Sequence, residues 1–138
     1  MKTARAFFDT NVLLYLLSSD ASKADRAETL VATGGTISIQ VLNEFASVAS
    51  RKLGMSWVEI REVLETIRAV CRVESLSLET HDLGLTFSGR YGFSIYDSMI
   101  LASALRADCQ VVFTEDLQHG QVIEDRLKII NPFSSAGT

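Results

Sequence analysis

Four acidic side chains, spread widely along the sequence, could together hold metal ions. Asp9 and Asp116 each follow a short apolar run, whereas Glu44 and Asp97 each lie near the start of a segment with helical spacing. Carboxylate oxygens are the ligands that Mg²⁺ and Mn²⁺ prefer. Because crowded carboxylates repel each other unless a positive charge intervenes, a crevice that collected these acids would favour such ions. One or two bound ions can then hold a phosphodiester and assist its hydrolysis.

The segments that would position these acids alternate between strand and helix patterns. Short β-branched or apolar runs predict strands at Ala4 to Phe8, Thr36 to Ile39, Arg72 to Leu76, Gln110 to Phe113 and Leu127 to Ile130. Helical spacing predicts helices at Val12 to Leu17, Lys23 to Ala32, Val41 to Leu53, Leu78 to Arg90 and Ile95 to Ala107. A further helix is predicted to open at a capping box of Ser56 and Glu59, with apolar positions at Ile60, Val63, Leu64 and Ile67. Such alternation predicts an α/β fold with a mostly parallel central sheet of about five strands.

A parallel sheet would bring the four acids to one edge. Asp9 directly follows the first strand, and Asp116 follows the fourth strand, two residues beyond Thr114. Asp97 lies in the first turn of its helix, and Glu44 lies early in the helix after the second strand. Ligands of open α/β sheets bind at the carboxyl ends of the strands, where these helices also begin. We therefore expect all four carboxylates to face one crevice.

Each acid also has an ordinary structural explanation when it is taken alone. Asp9 could cap the following helix, and Asp116 could be a turn residue. Asp97 could interact favourably with a helix dipole, and Glu44 could be a solvated acid in a first turn. His119, near the proposed crevice, fits an exposed loop residue better than a ligand. The metal hypothesis therefore rests on the four acids occurring together at one predicted edge.

Composition limits the remaining possibilities. The chain has 138 residues, which suits a single domain that we place at residues 1–133, followed by a loose tail at 134–138. With 13 basic and 17 acidic residues, the formal charge of −4 argues against a simple basic nucleic-acid binder. The longest apolar run, Val12 to Leu17, is too short to cross a bilayer, and the start does not fit an export signal. The isolated Cys71 and Cys109 indicate neither a disulfide nor a metal site, so we expect a cytoplasmic protein. Gly34-Gly35 lacks the Lys-Ser/Thr that would follow in a phosphate-binding loop, so we expect no nucleotide cofactor.

Five segments in this order resemble the PIN-domain ribonucleases, and most closely the VapC-type toxins of type II toxin–antitoxin systems. Any one of these motifs is weak evidence, but together and at this spacing they are fairly specific. The resemblance extends from about Phe7 to Phe133. The segments that carry it are Phe8 to Tyr15, Asn43 to Phe45, Tyr96 to Ala104, Thr114 to Leu117 and Ile129 to Phe133.

The resemblance implies a three-layer α/β/α fold and a metal-dependent endoribonuclease that cuts tRNA or ribosomal RNA and so inhibits translation. The family binds one or two Mg²⁺ or Mn²⁺ ions, and the positions that match its metal ligands are Asp9, Glu44, Asp97 and Asp116. The positions that match its assisting polar residues are Thr114 and Asn11. Glu115 could replace or join Asp116. Family partners would be an RNA substrate, a VapB-type antitoxin and a second copy of the chain. The alternative is an inactive scaffold of the same fold that binds RNA or a protein.

Overall fold

The central sheet reverses its strand order next to the first strand. A computed structural model describes residues 5–134, and its sheet has the order β3-β2-β1-β4-β6-β5. All neighbouring strands are parallel except β5 and β6, which are antiparallel. The strands are β1 Ala6–Phe8, β2 Gly35–Ser38, β3 Cys71–Glu74, β4 Val111–Phe113, β5 Val122–Ile123 and β6 Leu127–Ile130. The chain leaves β1 toward one side of the sheet and later returns to β4 on the other, which creates a crevice between their carboxyl ends.

The helices cover both faces of this sheet. They are α1 Thr10–Leu14, continued by a 3₁₀ turn at Tyr15–Leu17, then α2 Ala21–Ala32, α3 Ile39–Arg51, α4 Trp57–Val70, α5 Leu78–Tyr91 and α6 Ile95–Arg106. Because parallel crossovers are right-handed, the helices between β1 and β3 lie on one face, and α5 and α6, on the return to β4, lie on the other. The result is the expected three-layer α/β/α arrangement with a mostly parallel sheet.

Local sequence signals explain where the helices begin and end. Ser56 and Glu59 form a reciprocal capping box at the start of α4, as predicted. Ser94 caps α6 through a bond from the Asp97 backbone N–H at 3.1 Å. Gly92 ends α5 with a φ of 78°, a conformation that glycine adopts without strain. The start of α2 lies at Ala21 rather than near Lys23, because Asp20 supplies a cap that the apolar spacing did not reveal.

The sequence analysis missed one strand, β5. This strand has only two residues and pairs with β6 through a tight turn in which Glu124 and Asp125 have positive φ values of 51° and 56°. Neither residue is glycine, and the segment contains none of the usual two-residue hairpin signals. The expected count of about five strands therefore becomes five parallel strands and one short antiparallel edge strand.

A continuous apolar core lies between the sheet and its helices. Phe7, Phe8, Phe45 and Phe87 are among its fully buried side chains. None of the helices between residues 5 and 134 has the length and apolar character needed to span a bilayer. The predicted strand start at Ala4 lies outside the described residues, as does the predicted tail apart from Ser134.

Candidate metal centre

The sheet brings Asp9 and Thr114 to the same point. Phe8 and Phe113 are register partners in β1 and β4, so the next residue of each strand leaves the sheet beside the other. The Asp9 backbone N–H donates to the Phe113 carbonyl at 3.0 Å, and the Thr114 hydroxyl donates to Asp9 Oδ2 at 2.9 Å. The geometry thus couples two residues that are far apart in the sequence.

Asp9 is the most buried acid of the crevice. It exposes 4% of its surface, and its Oδ1 accepts the Thr10 N–H at 2.7 Å as the cap of α1. Burial raises the pKa of Asp9 from 3.8 to about 6, against the opposing effect of its hydrogen bonds to Thr114 and Thr10, while the nearby Asp116 and Glu44 raise it further. The ordinary cap role that the sequence allowed is therefore present together with an unusual electrostatic environment.

Asp97 and Asp116 converge on Asp9 from two other segments. One carboxylate oxygen from each of the three acids lies within 4.8 Å of the other two. Asp97 projects from the first turn of α6, and Asp116 lies in the loop after β4. Partial burial, and secondarily Asp116, raise the pKa of Asp97, which its bond to Ser94 opposes. Three like charges therefore meet at the edge where the sequence predicted them.

No ion pair among residues 5–134 includes an acid of the crevice. The ion pairs in this range join Arg72 to Glu74, Arg90 to Glu124 and Arg126 to Asp108. A buried carboxylate without a positive partner is unfavourable unless it gains a proton or a cation. An all-oxygen donor set of this size fits a hard divalent ion better than a softer one.

Neutral hydrogen bonds fix the geometry of the cluster. Asn11 Nδ2 donates to Asp116 Oδ2 at 2.9 Å and to the Thr114 hydroxyl oxygen at 3.3 Å. The Asp116 backbone N–H also donates to the Thr114 hydroxyl oxygen, at 3.1 Å. The fully buried Thr114 therefore donates to one acid and accepts from the segment that carries another. Asn11 and Thr114 orient the acids through these bonds, and the assisting role that the resemblance implies for them stays a prediction.

Glu44 lies beside the cluster and outside the set of three converging acids. Its Oε2 accepts the Thr10 hydroxyl at 3.3 Å, and its Oε1 accepts Gln40 Nε2 at 2.7 Å. Gln40 also donates to the Tyr96 carbonyl at 3.2 Å, which links α3 to the start of α6. The sequence analysis did not single out Thr10 or Gln40. The spacing of four residues between Gln40 and Glu44 in a helix could have identified Gln40 as a partner of this acid.

Glu115 and His119 point to other partners. Both Glu115 carboxylate oxygens accept the Tyr15 hydroxyl, each at 2.9 Å. His119 Nδ1 accepts the Asn131 backbone N–H at 3.0 Å, and its residue is half-buried rather than exposed. In the described residues, neither side chain belongs to the group of carboxylates close enough to share an ion.

Comparison of the sequence with protein families gives a match over most of the chain. The sequence model of the PIN domain family matches residues 6–124. The comparison with curated protein sequences gave no match.

Several solved structures have a similar fold. A toxin–antitoxin complex from Klebsiella pneumoniae includes a chain that is 18% identical with a TM-score of 0.71, over 93% of this chain and 98% of that one. DNA-bound VapBC from Salmonella typhimurium gives 20% identity and a TM-score of 0.67, over 92% and 98%. VapC20 of Mycobacterium tuberculosis, a toxin that cleaves the sarcin–ricin loop, is 20% identical with a TM-score of 0.65, over 80% of this chain and 89% of that one. At these identities the likeness establishes a shared fold.

Proposed function

The chain belongs to the PIN domain family, and from that premise we propose that it is a divalent-cation-dependent endoribonuclease, a VapC-type toxin. The observation that carries this proposal is the convergence of three carboxylate oxygens within 4.8 Å from Asp9, Asp97 and Asp116. These residues come from the ends of β1 and β4 and from the start of α6, so no single local motif explains their meeting. In this proposal residues 1–133 form one catalytic domain.

In this proposal the three acids hold one or two Mg²⁺ or Mn²⁺ ions. When bound, such an ion supplies Lewis-acid chemistry, activating water and stabilising charge on phosphate oxygens. Asp9 would be the fixed ligand, because the Thr10 N–H and the Thr114 hydroxyl orient both of its oxygens. Asp116 is exposed and Asp97 is half-buried, so they would form the side of the site that faces the substrate.

Glu44 is suited to a different role at the edge of the cluster. Gln40 and Thr10 each donate to one of its oxygens, which fixes the carboxylate without neutralising it. We assign Glu44 to accept a proton from the attacking water at one of these oxygens, or to complete the ligand set. Thr114 acts through its hydroxyl, which orients Asp9 Oδ2.

The proposed substrate and partners follow from the family and from the related structures. The Mycobacterium tuberculosis protein is described as cleaving the sarcin–ricin loop, which supports ribosomal RNA as a substrate class, with tRNA as the other. Two related structures are toxin–antitoxin complexes, which supports a VapB-type antitoxin as partner. We further propose a homodimer that acts in the cytoplasm, where its RNA substrate would be found.

RNA cleavage with and without divalent ions tests this proposal. Purified protein should cut RNA in Mn²⁺ or Mg²⁺ and stop in excess EDTA, and Asp97→Asn should lose cleavage. The matched control is Asp25→Asn, which removes an exposed acid on α2. Mn²⁺ should also raise the melting temperature of the wild type, because an ion that binds only the native state stabilises it. A protein that binds RNA, does not cut it and gains no thermal stability from Mn²⁺ would instead support the inactive scaffold.

A further inference from the structure

Adjacent acids in the loop after β4 face in different directions. Asp116 accepts a hydrogen bond from Asn11 at 2.9 Å and joins the acidic cluster. Glu115 instead accepts the Tyr15 hydroxyl at 2.9 Å on each oxygen, while its backbone N–H donates to Asn11 Oδ1 at 3.4 Å. The loop is therefore attached to the segment that follows Asp9 at two neighbouring residues, Glu115 and Asp116.

Tyr15 is itself held on several sides. Its ring lies against Phe133, with 4.4 Å between the ring centroids. The Lys23 ammonium lies 4.9 Å from the centroid of the Tyr15 ring and donates to the hydroxyl oxygen at 3.4 Å. With its ring packed and its oxygen accepting from Lys23, the hydroxyl hydrogen is directed to Glu115.

We infer that Tyr15 is a positioning residue that anchors Glu115 outside the crevice and thereby sets the turn from which Asp116 faces Asp9 and Asp97. The inference rests on the proposed function, because it assumes that the cluster binds a divalent ion. Some residues orient a metal ligand without contacting the metal itself. Removing such a residue typically lowers metal affinity or activity by about 10–100-fold. Glu115 then has an anchoring role, in place of the ligand role that its sequence position suggested.

The anchoring role and a ligand role for Glu115 predict opposite mutant patterns. As an anchor, Glu115 needs only an oxygen that accepts from Tyr15, so Glu115→Gln keeps the function and Glu115→Ala loses it. As a ligand, Glu115 needs its charge, so both substitutions lose metal affinity. Tyr15→Phe separates the two roles further, because it keeps the ring on Phe133 and Lys23 and removes only the hydroxyl. If Glu115 is an anchor, Tyr15→Phe frees the loop and weakens metal binding. If Glu115 is a ligand, Tyr15→Phe releases its carboxylate from the hydroxyl, so the metal affinity is retained or improved.

The test measures Mn²⁺ affinity by calorimetry on the folded apo protein, together with RNA cleavage and the melting temperature of the metal-free form. We expect Tyr15→Phe and Glu115→Ala each to raise the Kd for Mn²⁺ about tenfold and to lower the cleavage rate to a similar extent. The double variant should be no worse than either single variant, because both remove the same hydrogen bond. Glu115→Gln should retain most of the affinity.

Tyr91→Phe is the matched control. The Tyr91 hydroxyl donates to Glu124 Oε2 at 2.8 Å, so this variant loses the same kind of bond outside the hydrogen-bond network of the crevice. It should leave Mn²⁺ affinity unchanged even where its melting temperature falls. If Tyr15→Phe also lowers only the melting temperature and binds Mn²⁺ like the wild type, Tyr15 is structural and the inference is wrong.

The outcomes separate this inference from the proposed function. Wild type that binds Mn²⁺ but cuts no RNA overturns the nuclease proposal, while lost Mn²⁺ affinity in Tyr15→Phe and Glu115→Ala still supports the anchor. Wild type that cuts RNA, with both variants binding Mn²⁺ normally, overturns the anchor alone. Wild type that binds no Mn²⁺ overturns both.

Discussion

The acidic crevice and the interface between α5 and α6 are both partly buried, but they are built on opposite principles. In the crevice, Asp9 is almost fully buried with like charges nearby, and neutral donors satisfy its oxygens. Between α5 and α6, Gly84 lies against the buried Met99, and the Ser88 hydroxyl donates to the Ser98 hydroxyl at 2.7 Å. The interface stabilises the fold by close packing. The charged acids of the crevice oppose folding until a proton or a cation neutralises them, which is the pattern expected where binding matters more than stability.

We expect the largest effect from Asp9→Asn, which disables the crevice and leaves the fold intact. Asp9→Asn keeps the shape of the side chain and removes the buried charge, so we expect the rate of RNA cleavage to fall at least about 100-fold. This loss exceeds the usual effect of removing a residue that only orients a metal ligand. The metal-free melting temperature at pH 7 should change little, because the charge that burial disfavours is gone while the amide nitrogen can no longer accept one of the two hydrogen bonds from Thr10 and Thr114. Cleavage rates and thermal unfolding of the same preparation check both parts. Normal cleavage by Asp9→Asn would show that the crevice is not the active site.

The opposite experiment disturbs the helix interface and leaves every acid of the crevice unsubstituted. A Cβ on Gly84 would lie 2.7 Å from the Met99 Sδ and Cε atoms and 3.6 Å from its Cα. The tip of the Met99 side chain can move away from a Cβ, but valine adds two further carbons at this already crowded position. Gly84→Val should therefore destabilise the protein by about 1–3 kcal/mol, the usual cost of overpacking a core. Denaturant unfolding measures this loss, and unchanged stability would mean that the interface has room to spare.

These two regions also show which features sequence reasoning can reach. Asp9, Asp97 and Asp116 were predictable because strand ends and helix starts fall at one edge of a parallel sheet, and the family resemblance pointed to the same positions. Helix starts at Ser56 and Ser94 were predictable from local capping signals. The predicted roles of the acids as ligands remain to be tested.

The remaining features depend on contacts between distant segments. The sequence analysis could not show that Glu115 faces Tyr15 while Asp116 faces Asp9, because adjacent loop residues carry no periodic signal. It also could not show the short β5 strand, whose turn uses Glu124 and Asp125 at positive φ in place of glycine. Such features are set by tertiary packing, which local propensity does not encode.

Acidification should distinguish the two regions, because Asp9 in the crevice contributes a pH-dependent stability and the contact between Gly84 and Met99 does not. The pKa of Asp9 is raised from 3.8 to about 6 in the native protein, so the native state binds a proton more tightly than the unfolded chain. Its contribution to stability is therefore greatest below about pH 4 and is lost as the pH rises through about 6. In metal-free protein, lowering the pH from 7 to 5 should add about 1 kcal/mol from this group.

Asp9→Asn is the control for this pH dependence, since it removes the titrating group. Denaturant unfolding at pH 7 and pH 5 in EDTA should give a smaller gain for Asp9→Asn than for the wild type. Equal gains in both proteins would assign the effect to other carboxylates. Gly84→Val should keep the wild-type pH dependence while being less stable at both values, because neither Gly84 nor Met99 titrates.

The smallest effect compares two glycines within one helix. Gly84 and Gly89 both lie inside α5, and the sequence alone treats them as equal weaknesses of that helix. A Cβ added at Gly89 would meet nothing within 4 Å, so Gly89→Ala should stabilise the protein by about 0.5–1 kcal/mol, the usual difference in helix propensity. Gly84→Ala has the same intrinsic gain, but Met99 must move to admit the methyl group, so its net gain should be smaller. Chemical denaturation of the two variants measures the difference, and equal gains would mean that Met99 adapts freely and that close packing at this interface does not require glycine.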